Sequence, residues 1–426
     1  MVQQSEDISD NGTRGGWSFS LIFLVLFTLA NYFSPHYYLG ELFSRVPFIT
    51  GVLAIVFYCV GQLNNGSSFM QFSMSIYMLI IVFIFSLLAT FVMSVNPEHS
   101  LEILNDYTKA IVLFLLISNI VNNINKLFVY LVVIAVCSFG IAFKLVHYPT
   151  WAHGRAFLEG SALTGDPNGM TALFIYSLPI VIALFLIKKN TIFRLFLVYI
   201  TFTLFMGIVE AQSRGGFLAL GVSAIVLIHQ TKTTKNRLII FGSSVLLLPV
   251  FARYVTPDYI DRIMTIFVSA AEYTGSAAAR SSAMEIALDY VKSNAFSEYG
   301  LGNHSYLIAE TYGVEKSGIS MFKGNMLVHS TFLQFGADVG LIPLLFYILF
   351  ILGLFRALSQ AEKKFDESRI RQYKQLIIVV RAMRIALCGF LACAFFLPWA
   401  YKFYLYYLGG ICLSLKNISN NLRTRS

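Results

Sequence analysis

Charge is what this chain has least of. Only 12% of its 426 residues are Asp, Glu, Lys or Arg, against 57% hydrophobic, whereas a soluble domain runs near a quarter charged. A soluble globular protein is excluded on that ground. Cysteine is scarce as well. Cys59, Cys137, Cys388, Cys393 and Cys412 all sit in apolar runs, so no disulfide framework is implied and they read as small buried hydrophobes. The metal-holding patterns are missing: there is no HExxH, no CxxC and no DxD to fix a divalent ion against a diphosphate. The two aspartates of "TPDYIDRI" read as a solvated helix face, and neither a metal nor another cofactor is expected. The first sixteen residues are polar and acidic, with no small-residue cleavage site after the first apolar run, so no cleavable signal peptide is expected. An inverted repeat of the transporter kind is not visible.

Long apolar runs are what the chain does have. A bilayer core of about 30 Å takes roughly 20 apolar residues per helix. On that measure the sequence predicts an all-α polytopic membrane protein of about twelve spans, at 17–34, 46–62, 74–95, 107–121, 127–147, 169–187, 191–209, 214–229, 237–252, 341–356, 384–398 and 399–415. The last pair lacks a polar turn around Pro398 and also reads as one bent element. The domain plan follows: a tail over 1–16, spans one to nine over 17–252, a large loop over 253–340, spans ten to twelve over 341–415 and a tail over 416–426.

Basic residues set the orientation. With the N-terminus inside, about 19 of the 31 Lys and Arg fall in cytoplasmic segments, eight of them between Arg356 and Arg384. Both termini are then cytoplasmic. The net charge of +9 is accounted for by orientation and by anionic lipid headgroups. The basic residues are scattered over short loops with no single patch, which excludes nucleic acid as a partner.

The loop over 253–340 is too long for a simple connection and is expected to form a helical cap on the outer surface. Ile260, Ile263, Met264, Phe267 and Val268 repeat at amphipathic-helix spacing. "SAAARSSAMEIALDYVKSNAF" predicts a second helix with Ser276 as its N-cap, Gly300 and Gly302 break the chain, and "NMLVHSTFLQFGAD" predicts a third. Pro343 falls in the first turn of span ten.

Arg214, in "GIVEAQSRGGFLAL", is the sharpest polar signal. A charge near a bilayer core costs about 2.5–3.5 kcal/mol on insertion scales. The bland reading is an interfacial arginine reaching for headgroups. Against it, external positions disfavour positive charge, Gly215 and Gly216 leave room for backbone approach, and a helix starting at 214 points its N–H groups outward. Together these make an anion site suited to phosphate. Arg280, near the start of the second loop helix, reads either as a solvated surface arginine or as a second cation. His329 between apolar neighbours is either a structural histidine or a general base near neutral pH. Asp338, nine residues on, is not taken as its partner, and His304 reads as a loop residue. Arg155, Asp166, Asn168, Asn303, Lys323, Asn325 and Lys402 are external and polar, and of these Arg155, Asn168, Asn303 and Asn325 are the substrate-binding candidates.

In combination these residues resemble the O-antigen ligase and polymerase superfamily of bacterial membrane glycosyltransferases. "SRGGFL" is similar to that family's Arg-x-x-x-Leu element, with Arg214 and Leu218 in place. "HSTFLQFGADVG" is similar to its second element, in which His, then Asn, Ser or Gln, is followed after nine residues by Gly; His329, Ser330 and Gly340 fit. Pro343 departs from the Gly, Thr or Tyr often found there. "ARSSAMEIALDYVKSNAFSEYGLGNHSYL" resembles the loop segment whose helix-borne arginine corresponds to Arg280, and "LTGDPNGMTALFIYSLP" resembles an element that precedes span six.

The resemblance implies transfer of a glycan from an undecaprenyl diphosphate carrier to an acceptor hydroxyl at the periplasmic face of the inner membrane. His329 would act as base and Arg214 and Arg280 on the diphosphate, without a metal. The acceptor is lipid A–core oligosaccharide in a ligase and another lipid-linked repeat unit in a polymerase. Both short elements favour the ligase. A polymerase, a protein O-oligosaccharide ligase, a lipid-linked sugar transporter and a membrane scaffold stay open.

Overall fold

The computed structural model describes residues 18–35, 39–66, 70–152, 155–158, 166–231, 276–313 and 327–422, together with Ile260 and Met264. In chain order the helices are α1 (Phe19–Phe33), α2 (Val46–Asn64), α3 (Met74–Phe91), α4 (Pro97–Ile120), α5 (Ile124–His147), α6 (Pro167–Ile187), α7 (Thr191–Glu210), α8 (Arg214–Gln230), α9 (Ser276–Ser293), α10 (His304–Thr311), α11 (Thr331–Val339), α12 (Leu341–Glu367), α13 (Arg371–Ala394) and α14 (Phe403–Asn420). Between α5 and α6 lies a two-stranded antiparallel hairpin, β1 (Thr150–Ala152) and β2 (Arg155–Phe157), which pairs Thr150 with Phe157 and Ala152 with Arg155.

Among the described residues, eight helices are long and apolar enough to cross a membrane: α2 (with the preceding 3-10 turn, from Glu41), α3 to α7, α12 and α13. The chain is an all-α, multi-pass membrane protein. Among the twelve expected runs, the one over 237–252 lies outside the described residues, and α1 and α8 are shorter apolar helices. The run over 399–415 is displaced to α14, separated from α13 by a turn over 395–402. This helix carries Lys416, Asn417 and Asn420, and most of its length is buried against α4 and α12. Protein shields it, so it does not need the hydropathy of a lipid-facing span.

Two expected boundaries move for local reasons. Helix α4 starts at Pro97 instead of 107, because Asn96 caps it by accepting from the His99 N–H at 3.3 Å and proline fits the first helical position. Its polar opening turns, with Glu98, Glu102 and Asp106, escape a hydropathy reading. The segment from Arg356 to Arg384, expected as a loop, is a helical hairpin with only 368–370 between α12 and α13. Buried Ala357, Leu358, Ala361 and Phe365 on one arm and Leu376, Val379, Val380 and Met383 on the other give it a core. Glu362 pairs with Arg381 and Arg384, each at 2.9 Å.

Among the eight membrane-crossing helices described, α6 is the most enclosed, packed by α5, α7, α8 and α13. Buried hydroxyls there pair with one another, as burial without water demands: Tyr32 with Tyr176 at 2.5 Å and Ser138 with Ser177 at 2.7 Å. At the α6–α8 crossing, a Cβ on Gly216 would come within 2.1 Å of Thr171 Cγ2. Glycine is what lets the start of α8 lie against the start of α6.

In the segment between α8 and α12, α9 packs on α11, and α10 contacts both. Of the expected helix over 260–268, only Ile260 and Met264 are described, and both are exposed. The third expected helix starts later than its apolar pattern suggests. Ser330, extended at φ −153°, caps α11, so His329 stands in extended chain ahead of the helix. At the other end, Gly340 has φ 112° and a Cβ there would meet Phe296 Cα at 2.4 Å and Ala295 O at 2.6 Å. This close approach lets Leu341 and Ile342 N–H donate to Asn294 and Ala295 carbonyls, each at 3.1 Å, locking α9 to the α11–α12 junction.

Candidate functional site

Arg214 is the first residue of α8, whose N-cap Ser213 accepts from the Gly216 N–H at 3.2 Å. The turn before it is tight: Gln212 is buried and holds φ 44°, a left-handed conformation that non-glycine residues seldom adopt. A hydrogen-bonded cluster surrounds this turn. Arg155 on β2 donates through Nε to the Ala211 carbonyl at 3.1 Å and through Nη2 to Asn168 Oδ1 at 2.7 Å. Ser213 Oγ donates to the same Asn168 oxygen at 2.8 Å. Asn168 Nδ2 in turn donates to Asp166 Oδ1 at 3.3 Å, and Asp166 caps α6 by accepting from Gly169 N–H at 3.0 Å. Two helix N-termini, those of α6 and α8, are thereby presented together, with an arginine at the mouth of one. Such ends favour anions.

A run of contacts leads from Arg214 to His329. Gly215 faces Phe396 in the α13–α14 turn. The neighbouring Phe395 packs on Phe332 with ring centroids 4.9 Å apart, and Phe332 lies three residues past His329. The same turn holds α11 by its backbone. Thr331 Oγ1 donates to Leu397 O at 2.7 Å and accepts from Trp399 N–H at 3.2 Å, while Gln334 Oε1 accepts from Ala400 N–H at 3.2 Å.

The His329 imidazole is pushed down to about 4, by burial first, then by the Arg280 guanidinium and by His304. The charge of Arg280, on α9, is thus felt at His329, although 49 positions separate them in the sequence. A neutral imidazole beside a fixed cation can accept a proton from a hydroxyl, and its partial burial limits competing water.

The remaining candidates divide. Arg155 and Asn168 are half-buried and bonded to the turn that precedes Arg214. Asn303 is fully buried, and its Nδ2 donates to Ser94 Oγ, Ser100 Oγ and Tyr299 O, each at 3.0 Å, which ties the glycine turn to the start of α4. Asn325 and Lys323 lie outside the described residues. Lys402 is the N-cap residue of α14. Among the described residues, no three His, Cys, Asp or Glu come together as a metal set.

Sequence reasoning missed a buried triad. Asp338, within α11, accepts through Oδ1 from the backbone N–H of His304 at 2.8 Å, meets its ring Nδ1 at 3.1 Å, and accepts through Oδ2 from Tyr401 O–H at 2.8 Å. The Tyr401 hydroxyl is held well above its usual range by burial and then by this carboxylate. One signal was available: an aspartate on the face of α11 shared with Thr331 and Gln334 requires a partner if that face is buried.

No curated protein matches the chain. Residues 199–348 match the family model described as O-antigen ligase, a stretch that contains Arg214, Arg280, His304, His329, Asp338 and Gly340. That match, on the segment that builds the site, makes this part of the chain similar to the O-antigen ligase family.

Proposed function

We propose that this protein moves a glycan from undecaprenyl diphosphate to a hydroxyl of lipid A–core oligosaccharide. The reaction takes place at the periplasmic face of the bacterial inner membrane, with both termini cytoplasmic and residues 253–340 forming a helical cap. What supports the reading is the run of contacts from the Arg214 turn through Phe396, Phe395 and Phe332 toward the segment of His329, together with Arg280 lying near enough for its charge to disfavour the His329 imidazolium.

The chemistry follows from those three groups. The acceptor hydroxyl loses its proton to His329 as its oxygen bonds to the anomeric carbon. The bond from that carbon to the phosphate oxygen breaks, and its electron pair leaves with the lipid diphosphate. Arg214 and Arg280 neutralise the charge that develops on the leaving oxygen, a preorganised electrostatic role. Removing either guanidinium should lower the rate by about 10²–10³. Attack opposite the leaving group inverts the anomeric centre, and product linkage analysis showing retention would refute this step.

The test of the acceptor is the lipopolysaccharide banding pattern of a host lacking this gene, measured with its pool of lipid-linked glycan. The ligase reading expects lipid A–core bare of glycan and long polymer stranded on the carrier. A single repeat unit still joined to lipid A–core would make the chain a polymerase, and an unchanged ladder would overturn lipopolysaccharide as the acceptor.

A further inference from the structure

Helix α11 buries polar residues on one face. Thr331, Gln334 and Asp338 fall at i, i+3 and i+7 and are all buried. Each bonds to the turn between α13 and α14. Thr331 Oγ1 donates to the Leu397 carbonyl at 2.7 Å and accepts from the Trp399 N–H at 3.2 Å. Gln334 Oε1 accepts from the Ala400 N–H at 3.2 Å, and Asp338 Oδ2 accepts from the Tyr401 hydroxyl at 2.8 Å. The turn needs such partners, because Leu397, Trp399 and Ala400 are buried and Pro398 keeps the segment from continuing α13 as a helix. Its backbone groups would otherwise be left open in an apolar interior. That need alone would be met by polar side chains from any neighbouring helix.

What α11 adds is the location of His329. The turn touches both halves of the site. On one side Phe396 lies against Gly215, where an added Cβ would stand 3.4 Å from the Phe396 Cβ, and Gly215 follows Arg214 in the first turn of α8. On the other side Phe395 packs on Phe332 with ring centroids 4.9 Å apart, and Thr331 stands two residues past His329. Between them the chain has little slack. The Ser330 N–H donates to the Val328 carbonyl at 2.8 Å, and the Ser330 side chain caps α11. One piece of backbone is therefore in contact with the start of α8 and with the residues that follow His329. Misplacing a reacting group by about 1 Å can cost on the order of 100-fold in rate.

We propose that the turn over 395–402 sets the spacing between Arg214 and His329, with Thr331 as the positioning residue that holds the base to it. This rests on the reading of His329 as base. Thr331 exchanges no proton with the substrate and acts only through the chain that carries His329. Gln334 and Asp338 fix the rest of α11 to the same turn.

Purified full-length protein, assayed in detergent with a lipid-linked glycan donor and lipid A–core acceptor, tests this through T331V, T331S and H329Q, all normalised to folded protein. Valine keeps the shape of threonine and loses both bonds, whereas serine keeps the hydroxyl. The expected pattern is kcat lowered at least tenfold in T331V and recovered in large part in T331S, with KM for donor and acceptor unchanged. Wild-type kcat in T331V beside an inactive H329Q would overturn the proposal and leave the base assignment standing. A T331S enzyme no faster than T331V would overturn it as well. Activity in H329Q would instead remove the base assignment, and the proposal with it. If T331V does not fold, F395A takes its place with the same expectation, because the Phe395 ring is 54% exposed and its loss spares the core. Unchanged kcat in F395A, whether or not KM for the donor rises, would then overturn the proposal.

Discussion

Arg155 donates to Asn168 at 2.7 Å, and the same Asn168 oxygen accepts from Ser213, the residue before Arg214. The β-hairpin and the start of α6 therefore brace the turn that aims Arg214. Truncating Asn168 to Ala strands two donors, at about 1–3 kcal/mol. The expected result is a drop in kcat of about tenfold or more, while Arg155→Lys, which cannot make both bonds with one fork, behaves similarly. Steady-state kinetics of the purified variants check this. Wild-type kcat in both would show that the brace is idle.

The pH profile reports the His329 environment. Its pKa near 4 means that the imidazole is neutral, and so able to act as base, at pH 5 and above. Activity as kcat/KM should hold across neutral pH and fall only as the medium approaches about pH 4. Replacing Arg280 by Gln removes a cation that disfavours the imidazolium, so the acid limb should move up, toward about 6.5. A bound diphosphate also offsets Arg280, so the limb for kcat should lie at higher pH than that for kcat/KM. A limb unmoved in Arg280→Gln would contradict this effect of Arg280.

Gly340 holds φ 112° with Phe296 and Ala295 against its Cα. Alanine there adds backbone strain of about 1–3 kcal/mol, and more for the clash. Gly340→Ala should fall in Tm and yield, with hydrogen exchange quickened at Leu341 and Ile342, whose N–H bonds to Asn294 and Ala295 would open. Unchanged exchange at those amides would mean that the junction tolerates a side chain.

Glu362 answers both Arg381 and Arg384 between the arms of the α12–α13 hairpin. The group is about a quarter exposed, between the surface and buried limits, so Glu362→Gln should destabilise by about 2 kcal/mol. Thermal unfolding in detergent checks it, with turnover per folded molecule unaffected.

Hydropathy made most of the bundle legible, and Ser-Arg-Gly-Gly at the head of an apolar run pointed to Arg214 at a helix start. The same measure set the last run at 399–415, a few residues ahead of α14 at Phe403–Asn420, and missed the opening turns of α4, which are polar. The hairpin over 150–157 went unread because three-residue strands leave almost no periodic signal. His304 and Asp338 lie 34 positions apart. Nothing in either local stretch specifies the other, since their pairing is created by packing α10 on α11. Arg280 and His329 could be nominated singly from their residue types, but their proximity is a product of the fold.

The central claim is that glycan leaves a lipid diphosphate through Arg214, Arg280 and His329. Its most direct measure is release of undecaprenyl diphosphate from a lipid-linked glycan by purified protein in detergent, with and without acceptor. The account predicts acceptor-dependent release by the wild type that is lost in His329→Ala and reduced about 10²–10³-fold in Arg214→Gln and Arg280→Gln. No release by folded wild-type protein supplied with acceptor, or release undiminished in His329→Ala, would contradict it.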